Sequence, residues 1–290
     1  MITVQRLLTT MVECVPQSVK IALRGKRGAP RRLANAIHSI LNRMPGERYP
    51  VLNCSGVLKG YRMKVDWTKH RSFAYGTWEP EVVGAITQNV RPGMVALDIG
   101  AHSGYYTLML SKLVGAKGRV IAFEPLPPNF RILQENVELN RATNVQRQQQ
   151  AVGERSGEGI LIVPDPMDSL VAGPMIAADP RGIMRVPTVS LDDFLFEHGT
   201  SVDFVKMDVE GAEGDILRGA RRTLETFHPC MMVELHDMEK QEGRHHPVAD
   251  LMEEFGYEIR WLSEVGYTAH TFAQWKPKAA AYRNEKQRVC

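Results

Sequence analysis

The chain has 290 residues, 43% of them hydrophobic and 24% charged, with a formal net charge of +3. This composition is typical of a globular protein, and the length suits one large α/β domain with extensions or two modest domains. No stretch reaches the roughly 18 uninterrupted apolar residues of a membrane-spanning helix, so the sequence predicts none. Glu13 and Pro16 interrupt the first apolar run, and we therefore expect no secretory signal peptide.

Four cysteines, Cys14, Cys54, Cys230 and Cys290, lie far apart in the chain and form no CxxC pair. This spacing disfavours a zinc site or a disulfide framework. Scattered free cysteines are typical of proteins in a reducing compartment, so we expect a cytoplasmic protein.

Positive charge is concentrated at the N-terminus. Residues 1–48 contain nine lysines and arginines against two acidic residues, whereas the remainder of the chain is mildly acidic. Apolar residues at helical spacing predict one or two helices within residues 1–44. Two interpretations stay open for this basic extension. It packs on the core or on a second subunit of a homodimer, or it is an amphipathic arm that contacts acidic lipid or a partner.

Between this extension and the core, residues 49–78 alternate weakly between polar and apolar side chains and predict a short β-hairpin. A helix is predicted to begin near Pro80, because proline is favoured in the first helical turn, and the "RPG" of residues 91–93 ends it. From residue 94, apolar strands alternate with amphipathic helices. The predicted strands span 94–100, 119–125, 144–153, 158–163, 202–208, 230–236, 258–264 and 267–275, and the helices span 104–115, 127–140, 212–227 and 246–257.

This alternation predicts an α/β protein with a doubly wound, mostly parallel sheet, helices on both faces and right-handed crossovers. Ligands of such sheets bind beyond the carboxyl ends of the strands. Residues 164–187 form a long stretch rich in proline, glycine and methionine. Because long loops inside compact domains are usually functional or disordered, we predict a lid over the active face here.

The first core strand leads into the loop "VALDIGAHSGYY" of residues 95–106. A dinucleotide-binding fingerprint would place glycines at 100, 102 and 105, but the sequence has His102 and Tyr105. A nicotinamide-dependent oxidoreductase is therefore disfavoured. Asp98, Gly100 and Gly104 remain, and the carboxylate of Asp98 either faces a cationic amino group or holds the loop.

The second core strand ends in Glu124, about 20 residues past the loop, where nucleotide-binding sheets place the acceptor of the ribose hydroxyls. A carboxylate can accept hydrogen bonds from both hydroxyls. The loop and this glutamate together predict a nucleoside-binding site.

Six segments taken together resemble the FkbM family of S-adenosylmethionine-dependent methyltransferases. The resemblance runs from about Gly76 to Leu235, in the order "DIGAHSGYYT", "AFEPLPPNFRILQENVELN", "AVG", "VSLDDF", "VDFVKMDVEGAEGDILRGA" and "MMVEL". It implies the Rossmann-like class I methyltransferase fold, with a seven-stranded sheet whose last strand is antiparallel. It also implies methyl transfer, most often to a hydroxyl oxygen of a small molecule or sugar.

The resemblance implies a set of S-adenosylmethionine-binding residues. Glu124 would bind the ribose, Ala151 would lie near the adenine, and Glu79 would close over the methionine part. The residues implied for the loop itself are Asp98, Gly100, Ala101, His102 and Gly104. The sequence departs from the family at residue 102, where asparagine is usual.

We divide the chain accordingly into the basic helical extension of residues 1–48 and a methyltransferase domain over residues 49–275. The cofactor core of that domain spans 94–236, and a basic C-terminal tail covers 276–290.

The segment "KMDVEGAE" places Lys206, Asp208, Glu210 and Glu213 at the carboxyl end of the fourth core strand. So many charges are costly there unless they are paired or used. Asp208 is a candidate general base, metal ligand or holder of the methionine amino group. Magnesium is a conceivable additional cofactor of such a cluster, but no metal ligands are assigned. For Glu213, stabilisation of a helix N-terminus and catalysis are equal alternatives.

The fifth core strand ends with Glu234, His236 and Asp237, which stand beside this cluster if the fourth and fifth strands are neighbours. His236 is a candidate general base because histidine titrates near neutral pH, the alternative being a surface or hydrogen-bonded histidine. Asp208, Glu210 and His236 are thus the candidate catalytic residues, in no fixed order.

We therefore predict S-adenosylmethionine-dependent O-methylation of a small molecule, natural product or sugar. A non-catalytic binding protein with the same fold is an alternative. A nucleic-acid methyltransferase is disfavoured, because "LPPNF" at residues 126–130 follows the second core strand rather than the fourth. We expect no nucleic-acid partner.

Overall fold

A computed structural model describes residues 51–162, 183–236, 246–265 and 268–276. The basic extension and nearly all of the basic tail lie outside the described residues, as does most of the predicted lid. The last five residues of that lid, 183–187, belong to a strand, so the prediction of a loop extending to residue 187 was wrong.

The first described residues form the predicted hairpin, in which β1 (Val51–Asn53) pairs antiparallel with β2 (Arg62–Lys64). The hairpin prediction was wrong beyond β2, because helix α1 (Trp67–Tyr75) follows. Its Phe73 is buried in the core, and this packing decides the conformation of a segment with little helical periodicity. Helix α2 (Pro80–Asn89) begins at the predicted proline.

The seven-stranded central sheet confirms the predicted architecture. The seven strands are β3 (Val95–Ile99), β4 (Arg119–Phe123), β5 (Val145–Gln148), β9 (Phe204–Met207), β10 (Cys230–Leu235), β11 (Tyr257–Val265) and β12 (Thr268–Trp275). Their order is β11-β12-β10-β9-β3-β4-β5, and β12 runs antiparallel to both of its neighbours while the other pairs are parallel.

Helices cover both faces of this sheet, and β3, β4 and β9 accordingly bury nearly every residue. The remaining helices are α3 (Tyr105–Val114), α4 (Pro127–Leu139), α5 (Leu191–Glu197), α6 (Glu213–Arg218), α7 (Arg221–Phe227) and α8 (Pro247–Glu254). One core cluster lies on the side of α2 and α3, and the other on the side of α5 to α8. None of the described helices is long and apolar enough to cross a membrane.

Two predicted elements are divided in the structure. The third core strand splits into β5 and β6 (Ala151–Val152), and β6 joins β7 (Gly157–Ile162) and β8 (Ile183–Val189) in a second, three-stranded sheet. The helix predicted over 212–227 is broken into α6 and α7 at Gly219. A side chain at Gly219 would lie 2.3 Å from the carbonyl oxygen of Gly153, so the close approach of these backbones requires glycine.

Candidate active site

Four strands deliver the predicted site residues to one edge of the central sheet. Because β3, β4, β9 and β10 are parallel, their carboxyl ends lie at the same edge. The loop of residues 98–104 and Glu124 follow β3 and β4, and we call them the cofactor half. Asp208, Glu210, Glu213 and His236 follow β9 and β10, and we call them the acid–base half. The predicted adjacency of β9 and β10 is confirmed.

Both glycines of the cofactor half have positive φ, and the packing around Gly100 also requires glycine. Gly100 has a φ of 78°, and a Cβ there would lie 1.8 Å from the carbonyl oxygen of Asp208. Gly104 has a φ of 89°, and its Cβ would lie 2.7 Å from Cδ1 of Leu133. Gly100 therefore lets the cofactor half pack directly against the backbone of the acid–base half.

His102 adopts the left-handed conformation, with a φ of 52°. Asparagine, aspartate and histidine are the non-glycine residues enriched in this region, which explains why histidine can replace the asparagine usual in the family. The backbone N–H of His102 donates a hydrogen bond of 2.7 Å to Oε2 of Glu124. Its ring lies edge-on to His70, with centroids 5.1 Å apart. These contacts favour a role for His102 in shaping the loop.

Asp98 has no exposed surface. Its Oδ2 accepts a hydrogen bond of 2.5 Å from Oγ1 of Thr107, and its Oδ1 lies 3.8 Å from Nζ of Lys206. Burial raises the pKa of the Asp98 carboxyl, while the lysine and the threonine oppose that rise. Of the two roles predicted for this carboxylate, the contacts favour holding the loop.

Glu124 is also buried, with only 4% of its surface exposed. Besides the contact with His102, its Oε1 accepts hydrogen bonds from the N–H of Leu126 at 3.0 Å and from Nδ2 of Asn129 at 3.4 Å. Burial raises the pKa of Glu124 to about 7, although these hydrogen bonds oppose the rise. Its binding to ribose stays a prediction.

The other cofactor candidates lie in three different places. Ala101 is buried, and its N–H donates to the carbonyl of Phe123 at 2.9 Å, which ties the loop to the end of β4. Glu79 precedes α2, and its Oε2 accepts a hydrogen bond of 2.5 Å from the hydroxyl of Tyr106. Ala151 begins β6 of the second sheet, three residues after the end of β5. The cofactor contacts of these residues stay predictions.

His236 lies at the centre of the acid–base half. Its Nδ1 is 2.6 Å from Oε1 of Glu213, which is 99% buried and also accepts the N–H of Gly211 at 3.2 Å. Glu213 thus serves the start of α6 and orients the histidine at the same time. Nε2 of His236 lies 3.4 Å from Oε2 of Glu210 and 3.8 Å from Oδ1 of Asp208. The three candidate catalytic residues are therefore brought together.

These carboxylates change the protonation of His236. Burial lowers the pKa of the imidazole, but the hydrogen bond to Glu213 and the negative charges of Glu213, Glu210 and Asp208 outweigh burial and raise the pKa to about 9. The free protein consequently holds this histidine mainly protonated at neutral pH.

Lys206 connects the two halves. Its buried Nζ lies 3.3 Å from Oδ2 of Asp208, 3.4 Å from the carbonyl of Gly100 and 5.0 Å from the centre of the Tyr106 ring. Burial alone would raise the pKa of Asp208, but the charges of Lys206 and His236 lower it, so Asp208 is ionised. Lys206 thus lies between the carboxyl groups of Asp98 and Asp208, and Asp208 lies between Lys206 and His236.

Sequence reasoning missed Tyr106, Asn129 and His270. Only His270 could have been found from the sequence. It lies two residues before the core residue Phe272 on β12, so both side chains leave the strand on the same face. Asp237 lies outside the described residues.

Comparisons with known proteins find similar methyltransferases. Hexuronic acid methyltransferase AglP of Haloferax volcanii is 29% identical over 160 residues, which cover 54% of this chain and 62% of AglP. The 2-O-methyltransferase NoeI of Sinorhizobium fredii is 28% identical over 196 residues, which cover 60% of this chain and 78% of NoeI. The chain therefore spans less than two thirds of the length of AglP.

The crystal structure of methyltransferase FkbM from Methylobacillus flagellatus aligns with a TM-score of 0.45 at 16% identity, covering 87% of this chain and 72% of that one. The model of the family described as the methyltransferase FkbM domain matches residues 98–267, more than half of the chain. With its class I methyltransferase fold, this chain belongs to the FkbM methyltransferase family.

Proposed function

We propose that the protein is an S-adenosylmethionine-dependent O-methyltransferase whose acceptor is a hydroxyl group of a sugar or other small molecule. The observation that carries this proposal is the direct packing of the cofactor half on the acid–base half, where Gly100 meets the carbonyl of Asp208. A methyl donor and a hydroxyl acceptor must meet within van der Waals distance, and this packing supports one continuous site.

The charge of the site fits a cationic cofactor. Carboxylates outnumber cationic groups among the described residues at this edge, with Glu79, Asp98, Asp208, Glu210, Glu213 and Glu234 facing Lys206, His236 and His270. S-adenosylmethionine carries a positive sulfonium and supplies an already activated methyl group. The loop of residues 98–104 together with Glu124, Glu79 and Ala151 would hold it.

The acceptor hydroxyl must lose its proton as the new C–O bond forms. We assign the receiving atom to Nε2 of His236, whose ring Glu213 orients through Nδ1. Only the neutral imidazole accepts a proton. Because the surrounding carboxylates hold the pKa of His236 near 9, the neutral fraction increases as the pH approaches 9. Asp208 and Glu210 would then bind the acceptor or the imidazolium formed.

The relatives support the class of acceptor. NoeI is described as a 2-O-methyltransferase and AglP as a hexuronic acid methyltransferase. The alternative of a nicotinamide-dependent enzyme is disfavoured, because the sequence lacks the glycines that such an enzyme requires at 102 and 105. For the compartment we keep the cytoplasm as a proposal, supported by the two free cysteines among the described residues, Cys54 and Cys230.

The test is equilibrium binding of methyl-labelled S-adenosylmethionine, followed by label transfer to a panel of neutral, amino and uronic sugars. We expect binding and transfer to at least one hydroxyl acceptor. Failure to bind at about 1 mM cofactor would contradict the proposal. Binding without transfer to any hydroxyl acceptor would favour the non-catalytic binding protein.

A further inference from the structure

A second cluster of ligating side chains lies beside the acid–base half. It consists of Glu79, Glu234 and His270, and we call it the Glu79 cluster. Glu234 on β10 is paired with His270 on β12, so both side chains leave the sheet on the same face. Glu79 reaches them from the segment that precedes α2. Three separate parts of the chain therefore converge there.

The spacing of the donor atoms suits a metal ion. Nε2 of His270 lies 3.4 Å from Oε2 of Glu234 and 3.6 Å from Oε2 of Glu79, and the three ligand atoms lie within 4.8 Å of one another. Ligands at about 2.1 Å from a tetrahedral ion are separated by roughly 3.4 Å. The two distances from His270 match that separation.

The imidazole of His270 is arranged like that of a metal ligand. It is 94% buried, and among the described residues Nε2 finds no hydrogen-bond partner, although it points at two carboxylates. Its other nitrogen, Nδ1, lies 3.0 Å from Oγ of Ser263, the residue opposite it on β11. Metal-binding histidines usually donate from the second nitrogen to such a partner, which leaves the first one with its lone pair.

The carboxylate of Glu79 is supported in the same way. Oε2 of Glu79 accepts the hydroxyl proton of Tyr106 at 2.5 Å, as ligating carboxylates commonly accept hydrogen bonds from outer groups.

We propose that Glu79, Glu234 and His270 bind one divalent transition-metal ion of the Zn²⁺ or Mn²⁺ class. The imidazole disfavours Mg²⁺, which prefers ligand sets made of oxygen. The ion ties the segment before α2 to β10 and β12. The other oxygen of Glu234, Oε1, lies 3.9 Å from Nε2 of His236, so the metal site would border the acid–base half.

The test is calorimetric titration of the metal-free full chain with ZnCl₂ and MnCl₂ in the absence of S-adenosylmethionine. We expect one ion per chain, with affinity at least about 100-fold weaker in His270→Asn and in Glu79→Gln. The matched control is His198→Asn, which removes an exposed histidine at the end of α5 and should keep full affinity.

A spectroscopic measurement keeps the test independent of variants that fold poorly. Pulsed electron paramagnetic resonance of the wild-type Mn²⁺ complex should show one coordinated imidazole nitrogen. Equal affinities in His270→Asn and His198→Asn, absence of binding at about 1 mM metal, or absence of the nitrogen coupling would each overturn the proposal. The cluster would then be an ion pair of protonated His270. The titration contains no S-adenosylmethionine, so failure of the metal site leaves the proposed methyl transfer untouched.

Discussion

The two halves of the candidate site lie at one edge of the sheet but are held by different forces. In the cofactor half, backbone groups of neighbouring residues satisfy the polar atoms, as the N–H groups of His102 and Leu126 do for Glu124. In the acid–base half, charged side chains from different elements hold one another, as Glu213 on α6 holds His236 after β10. The first half is therefore fixed mainly by backbone contacts, and the second mainly by pairing of charged side chains.

The largest effect is expected where the halves touch. Both Gly100 and Gly115 have positive φ, but a Cβ at Gly100 would lie 1.8 Å from the Asp208 carbonyl oxygen, whereas a Cβ at Gly115 meets no described atom within 4 Å. We expect Gly115→Ala to lose about 1–2 kcal/mol in free energy of unfolding. Gly100→Ala should lose at least about 3 kcal/mol and the cofactor affinity as well.

Urea unfolding and labelled-cofactor binding measure both variants. Equal stability losses at the two glycines would show that the contact between the halves is unimportant.

A change confined to the acid–base half should affect chemistry and leave cofactor binding intact. His236→Asn removes the atom that receives the proton, so we expect the transfer rate to fall by about 10²–10⁴-fold at saturating cofactor. The cofactor dissociation constant should stay unchanged. Asp215→Asn, in the same helix as Glu213 but in an exposed ion pair with Arg218, serves as the control and should keep full rate. Full activity in His236→Asn would exclude this histidine as the base.

Glu124→Gln separates stability from binding in the cofactor half. The folded state raises the pKa of Glu124 from 4.5 to about 7, so its contribution to stability is present below pH 4.5 and is lost as pH rises through 7. The glutamine cannot ionise and avoids this loss. Relative to wild type, the free energy of unfolding of the variant should be up to about 3 kcal/mol more favourable at pH 8 than at pH 4.5. The cofactor affinity of the variant should be lower.

Urea unfolding at the two pH values measures the gain, and Glu158→Gln on the exposed strand β7 is the control. A stability difference that does not change with pH would show that Glu124 is not held in a protonation-sensitive environment.

The smallest effect is expected at residue 102. His102→Asn keeps a residue that tolerates φ of 52°, so cofactor affinity and transfer rate should equal those of wild type. His102→Ala should lose about 1 kcal/mol in free energy of unfolding, because alanine is strained in the left-handed region. A large fall in rate for His102→Asn would instead give the imidazole a chemical role.

The same contrast explains how much could be predicted from sequence. The central strands and the loop were predictable, since buried apolar runs and glycines such as Gly100 and Gly104 reflect local backbone requirements. The position of Glu124 at the end of the second core strand predicted its role, and the family resemblance implied the same role. In the acid–base half the residue types were predictable, because charges such as Asp208 at a strand end stand out from the apolar strand.

The pairings of these charges were not predictable. Glu213 contacts His236 only because β9 and β10 are neighbours and α6 turns back over their ends. His270 enters the site through the antiparallel register of β12, which no local pattern specifies. The division of the third core strand likewise depends on pairing with β8, which lies more than 30 residues later in the chain.

The pH dependence of methyl transfer in wild type and Glu213→Gln tests the central claim most directly. If neutral His236 is the base, the wild-type rate at saturating cofactor should rise with pH. The midpoint of this ascending limb of the pH–rate profile should lie near pH 9. Loss of the Glu213 charge should move that limb to lower pH, because burial then lowers the imidazole pKa with less opposition, while cofactor affinity stays unchanged. An identical limb in both proteins, or loss of cofactor binding in a folded Glu213→Gln, would contradict the account.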